Sequence, residues 1–158
     1  MNNSVIFYIM GWILTFEAVF MILPCIVALI YKEPAGCYLL TMALCLLMGI
    51  PLVLKKPKNQ IFYTAEGFVT VSLSWVVLSV MGAVPFLLSG HILNPMDALF
   101  ETVSGFTTTG ASILNDVEAL PKCHLFWRSF THWIGGMGVL VFILSLLPLA
   151  GGTHMNLM

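Results

Sequence analysis

"FETVSGFTTTGASIL", residues 100–114, interrupts a chain that is otherwise close to continuous hydrocarbon. Polar, irregular backbone between two long apolar segments has two homes. It is either a turn in water, or a loop folded back into a membrane and sheltered by protein, since non-helical backbone at membrane depth survives only where it is buried or lines a watery cavity. The tetrapeptide TTTG alone favours the turn. What surrounds it reverses that preference.

Hydrophobic residues make up 59% of the 158 and charged residues 8%, with a formal net charge of -1; the mean hydropathy is +1.01. An ordinary soluble domain carries about 25% charged residues, so this chain cannot clothe a surface facing water on all sides. It offers no basic face for nucleic acid. Cys25, Cys37, Cys45 and Cys123 show no metal-ligand spacing and read as small hydrophobes. The start, "MNNSVIFYIM", has neither the basic region nor the cleavage site of a signal peptide, so it is expected to remain as a membrane helix.

Four apolar stretches are long enough to cross a bilayer, which takes about 20 residues: roughly 5–31, 37–54, 67–88 and 125–149. The first exceeds the need, so a tilt or a bend at Pro24 is expected. The dense positive cluster "KKPK", residues 55–58, belongs in the cytoplasm by the positive-inside rule. Both chain ends then lie inside. "YKEPAG" and the connection over 89–124 lie outside. Topology signalling is the first role of the cluster; anionic lipid or a cytoplasmic partner is a second.

The connection 89–124 is about 36 residues, long for a helix link. It opens with a marked short helix: Asn94 caps, Pro95 suits the first position, and Asp97 favours the positive end. Gly105 fits a left-handed stop. Ten residues at about 1.5 Å each span about 15 Å, half the hydrocarbon thickness. Such a half-helix followed by Gly, Thr and Ser predicts a re-entrant loop. Its carbonyls need partners, and a dehydrated cation is one; the threonine hydroxyls are expected to add further oxygen ligands. Potassium channels use TVGYG loops in this way, and Thr108-Thr109-Gly110 carries the same T-x-G kernel.

Three longer strings are specific: "EGFVTVSLSWVVLSVMGAVPFLLSG" (66–90), "DALFETVSGFTTTGAS" (97–112) and "LPKCHLFWRSFTHWIGGMGVLVFILSLLPLAGG" (120–152). From residue 64 onward the chain resembles TrkH-type subunits of the Trk/Ktr/HKT superfamily of potassium transporters. The resemblance implies an all-α transmembrane fold: a peripheral helical hairpin (1–58), then one helix–re-entrant pore loop–helix unit (64–158). That unit would be a quarter of a pseudo-fourfold potassium pore in the cell membrane of a bacterium, and the remaining repeats would come from a longer subunit. Thr107, Thr108, Thr109 and Gly110 would line the filter and hold K+ as the transported ion, with no other cofactor. Homodimerisation of the complete subunit and a nucleotide-binding cytoplasmic regulator of the TrkA or KtrA type are also implied. Ala111 and Ser112 stand where a channel filter has Tyr-Gly, so a less sharp discrimination against sodium is expected.

Other residues have two readings. Asp97, Glu101, Asp116 and Glu118 are candidate outer-mouth acids that concentrate cations, or an ordinary solvated loop. Arg128 and His132 can bind acidic groups such as Glu101, or snorkel. Gly135, Gly136 and Gly138 suit an inner-helix hinge, or close helix packing. Glu17 lies mid-span, and a contact to another helix is favoured there over a transport role. Membrane-embedded catalysis lacks converging acids or histidines. A non-conducting scaffold fragment and a homotetrameric cation channel stand as alternatives.

Overall fold

The computed structural model describes residues 3–57 and 64–150, with side chains described except at 64–65 and 142–150. Lys58 of the basic cluster and the tail 151–158 lie outside the described residues. Six helices follow in order: α1 (Asn3–Phe20), α2 (Ile22–Tyr31), α3 (Gly36–Leu54), α4 (Thr64–Leu88), α5 (Pro95–Phe106) and α6 (Lys122–Ala150). The described residues contain no strand.

Helices α1 and α2 form one apolar span of 29 residues, broken at Met21. Pro24 has no N–H for the Phe20 carbonyl and crowds it, so the chain parts one turn ahead of the proline. The next bond, Cys25 N–H to the Met21 carbonyl, is stretched to 3.4 Å. Helix α3 packs along α1 where glycines meet: a Cβ on Gly11 would stand 2.9 Å from the Gly49 carbonyl oxygen. Small residues let two backbones touch where lipid supplies no hydrophobic drive between helices.

Spans α1–α2, α3 and α4 are long and apolar enough to cross a membrane, with 29, 19 and 23 residues. The expected fourth, α6, is helical for 29 residues, and its side chains beyond 141 lie outside the described residues. Leu29, Leu47 and Leu54 point outward from the hairpin, 73–77% exposed. Such a face suits acyl chains. The buried centre gathers Met21 from the α1–α2 break and Tyr38, Phe86 and Trp127 from α3, α4 and α6. There the Trp127 indole N–H donates to the Gly82 carbonyl at 3.0 Å.

Helix α5 is wedged between α4 and α6. Asn94 accepts from the Met96 N–H at 3.0 Å and Pro95 opens the helix, the local start that residue types dictate. The Thr102 hydroxyl reaches the Ser79 carbonyl of α4 at 2.9 Å. The end differs from the sequence expectation. The helix runs 12 residues to Phe106, and Gly105 is not a left-handed stop. A Cβ there would stand 2.2 Å from the Thr131 hydroxyl oxygen, so Gly105 is glycine because α6 crosses it closely.

A carboxylate from the hairpin starts α6. Glu33, between α2 and α3, accepts from the N–H groups of Lys122 and Cys123 at 2.8 and 2.9 Å. These are orphan donors of a helix N-terminus, where negative charge is favoured. Burial alone would raise the Glu33 carboxyl; the Cys123 and Lys122 N–H groups outweigh it and hold the group below the usual range. A depressed carboxyl stabilises above its unfolded value of about 4.3 and loses that contribution as pH falls through the folded value. Glu33→Ala is expected to cost roughly 0.5–1 kcal/mol, the lower part of the range for caps because water reaches the group. Thermal unfolding in detergent at pH 7 checks this, and the difference from the parent should vanish in acid.

Candidate functional site

Where α5 ends, the backbone turns sharply and all its early N–H groups look back into the helix. Thr107 N–H donates to Val103, Thr108 to Gly105, and Thr109 to Ser104 at 2.9 Å each; Gly110 also reaches Ser104, at 3.4 Å. Two left-handed residues make this turn: Thr108 (φ +58°) and Gly110 (φ +76°). The second is natural for glycine. The first is unusual for a residue with a Cβ and stores strain of about 1–3 kcal/mol.

The side chains knit the loop further. Thr107 Oγ1 donates to the Val103 carbonyl at 2.7 Å and pairs with Thr109 Oγ1 at 2.8 Å. Thr108 Oγ1 donates to the Thr107 carbonyl at 2.7 Å. Ser104 closes the loop from below, donating to the Ala111 carbonyl at 2.6 Å. The balance is uneven. Every N–H from 107 to 110 is occupied, while among the described residues nothing donates to the carbonyls of Thr108, Thr109 and Gly110. Residues 107–111 are all exposed. They form a row of acceptors without donors at the negative end of a 12-residue helix.

Behind the loop stands Glu101. Its side chain is 1% exposed. One oxygen accepts from the Ser112 hydroxyl and from the Ile113 N–H at 2.8 Å; the other takes Arg128 Nε–H at 2.9 Å. A single carboxylate thus ties the descending strand of the loop to α6. Of its two readings, mouth acid or partner of Arg128, these contacts are those of the second: its charge is engaged inside the protein, where a guanidinium and two other donors offset its desolvation. Asp97 is half-buried on the first turn of α5, while Asp116 and Glu118 are exposed, with Asp116 accepting from the Glu118 N–H at 3.0 Å.

His132 Nδ1 lies 2.9 Å from the Arg128 carbonyl, and its Nε2 is 3.9 Å from where a Cβ on Gly110 would be. Helix α6 passes unbroken through Gly135, Gly136 and Gly138. Gly135 presses on the last turn of α5: a Cβ there would stand 2.1 Å from the Phe106 carbonyl oxygen. A Cβ on Gly136 would stand 3.9 Å from Thr108 Cγ2, and one on Gly138 3.0 Å from the Trp75 ring. Glu33 was absent from the sequence-based candidates; a carboxylate one residue before a proline gives no local sign that it caps a distant helix.

The similarity to known proteins runs along nearly the whole chain. It is 37% identical over 158 residues to the Trk system potassium uptake protein TrkG of Escherichia coli K12, covering 96% of this chain and 32% of that one. It is 41% identical over 141 residues to the Trk system potassium uptake protein TrkH of the same organism, covering 87% and 29%. The crystal structure of the potassium transporter TrkH from Vibrio parahaemolyticus superposes with a TM-score of 0.87 at 35% identity, covering 99% of this chain and 34% of that one. The chain therefore spans about a third of the length of these relatives. With its apolar helices, this makes it an integral membrane protein. A family model described as TrkH, cation transport protein, matches residues 38–158, and the chain belongs to that family.

Proposed function

We propose that residues 107–110 form one quarter of a potassium filter, that the chain is the first part of a potassium uptake protein, and that further repeats complete the ring. The observation that carries this reading is the loop's uneven hydrogen bonding, with N–H groups turned inward and, among the described residues, no donor to the carbonyls of the exposed residues Thr108, Thr109 and Gly110. A dehydrated cation needs oxygen ligands to replace its water, and backbone carbonyls supply them. Thr107–Thr109 hydroxyls already bond within the loop and hold its shape. The names of the relatives support potassium as the ion. No covalent chemistry is required: the ion sheds water, is held, and moves on. Residues 1–58 then serve as a peripheral hairpin and 64–158 as the pore-forming unit.

Gly110→Val tests the filter. A β-branched residue holds φ +76° only at a steric cost, added to the strain already carried at Thr108, so the carbonyl row is expected to shift. Rubidium uptake is measured in uptake-deficient cells carrying the chain within a four-repeat transporter. A loss of ~1.4 kcal/mol per bound ion already lowers affinity about tenfold. Uptake is expected to fall by at least that factor, and unchanged uptake refutes the assignment.

A further inference from the structure

Glu17 sits in the middle of the first span with 1% of its surface exposed, and neither carboxyl oxygen has a hydrogen-bond partner. Among the described residues it is alone in this. An ionised carboxylate with no partner in so dry a place costs several kcal/mol even after relaxation. The packing around it is close. Cys45 of α3 is the titratable side chain facing it, in a cluster with Leu14, Ala18 and Met81. α4 presents Gly82, and a Cβ on Gly82 would lie 3.5 Å from Glu17 Oε1, 3.5 Å from Thr102 Cγ2 and 3.2 Å from the Phe106 ring. Hairpin, α4 and the final turn of α5 therefore meet at one glycine. Pro85 deprives α4 of one helical hydrogen bond just beyond it.

We propose that Glu17 is a proton-binding site at membrane depth, and that the bound proton is what lets the hairpin close on α4 behind the pore helix. The neutral acid is small and uncharged enough to lie against Gly82. Its ionisation would place an unpaired charge one residue's breadth from Thr102 and Phe106, and would drive the hairpin away from the element that ends in the threonine loop. The claim rests on helix packing alone and not on the filter assignment.

Infrared spectroscopy of the detergent-solubilised chain tests it directly. The carbonyl stretch of a protonated carboxylic acid is expected at neutral pH and is expected to vanish in Glu17→Gln, the uncharged isostere. If Glu17→Gln does not fold, Glu17→Asp keeps the acid and must move the band, which assigns it equally. Stability supplies a second readout. Raising the pH is expected to raise the parent's unfolding constant relative to that of Glu17→Gln, by at most about tenfold per pH unit, because only the parent can gain a charge at this packed position. Cys45→Ala should leave that difference in place. Absence of the acid band at neutral pH, or parallel stability curves for parent and Glu17→Gln, overturns the proposal while leaving the loop's role untouched.

Discussion

Gly135→Ala is expected to dislodge α5. The new methyl would meet the Phe106 carbonyl oxygen at 2.1 Å and its carbon at 2.7 Å. These are backbone atoms of the turn that ends α5, so no rotamer change can relieve the contact. Helices α5 and α6 must separate by roughly an ångström before carbon and oxygen reach ordinary contact. Overpacked sites cost about 1–3 kcal/mol where side chains yield, and a backbone clash lies at or beyond the upper end. Thermal unfolding in detergent should show that loss. Gly105→Ala provides the contrast: it clashes with Thr131 Oγ1 at 2.2 Å, a side chain. Thr131→Ala should recover part of the Gly105→Ala defect, whereas no single side-chain truncation should recover Gly135→Ala. If Gly135→Ala behaves like its parent, the close crossing of α5 and α6 is wrong.

The second large effect belongs to the buried pair. Arg128→Ala leaves the Glu101 carboxylate, 1% exposed, facing a vacancy where a guanidinium stood. Removing one partner of a buried pair typically costs 3–5 kcal/mol, and a loss near ~3 kcal/mol is expected because the arginine is partly exposed. Glu101→Gln should also fail despite its similar shape. All three partners, Ser112 Oγ–H, Ile113 N–H and Arg128 Nε–H, are donors. A carboxylate satisfies them with both oxygens; an amide must turn its own NH2 towards one of them. The double replacement Glu101→Leu with Arg128→Leu separates folding from function. Removing both charges should restore most of the stability, while residues 112 and 113 lose their anchor and rubidium uptake stays low. Full uptake in the double variant would show that the carboxylate does not hold the loop.

The helical elements were readable because their causes are local. Asn94, Pro95 and Asp97 mark the start of α5 within four residues, and the apolar runs fix the spans by length. The end of α5 misled for a physical reason. Glycine is the usual left-handed residue, so Gly105 attracted that role, yet the chain turns left-handed at Thr108, where the residue type argues against it. Gly105 is explained only by Thr131, on another helix. Glu101 was legible in part: its pairing with Arg128 was one of two readings of the sequence, while the Ile113 N–H that converges on the same carboxylate carries no sequence signal. The burial of Glu17 against Gly82 depends on three helices meeting, and no spacing within α1 encodes it.

The carboxylate of Glu33 reaches partners 89 and 90 positions further along. During synthesis the first hairpin enters the bilayer well before those partners exist, because chains elongate at about 5–20 residues per second and earlier parts fold first. For several seconds Glu33 waits with its acceptors turned to water. When residues 122 and 123 emerge from the ribosome, the start of the last helix is received by a receptor already in place, so the nascent hairpin acts as a template that sets where that helix begins.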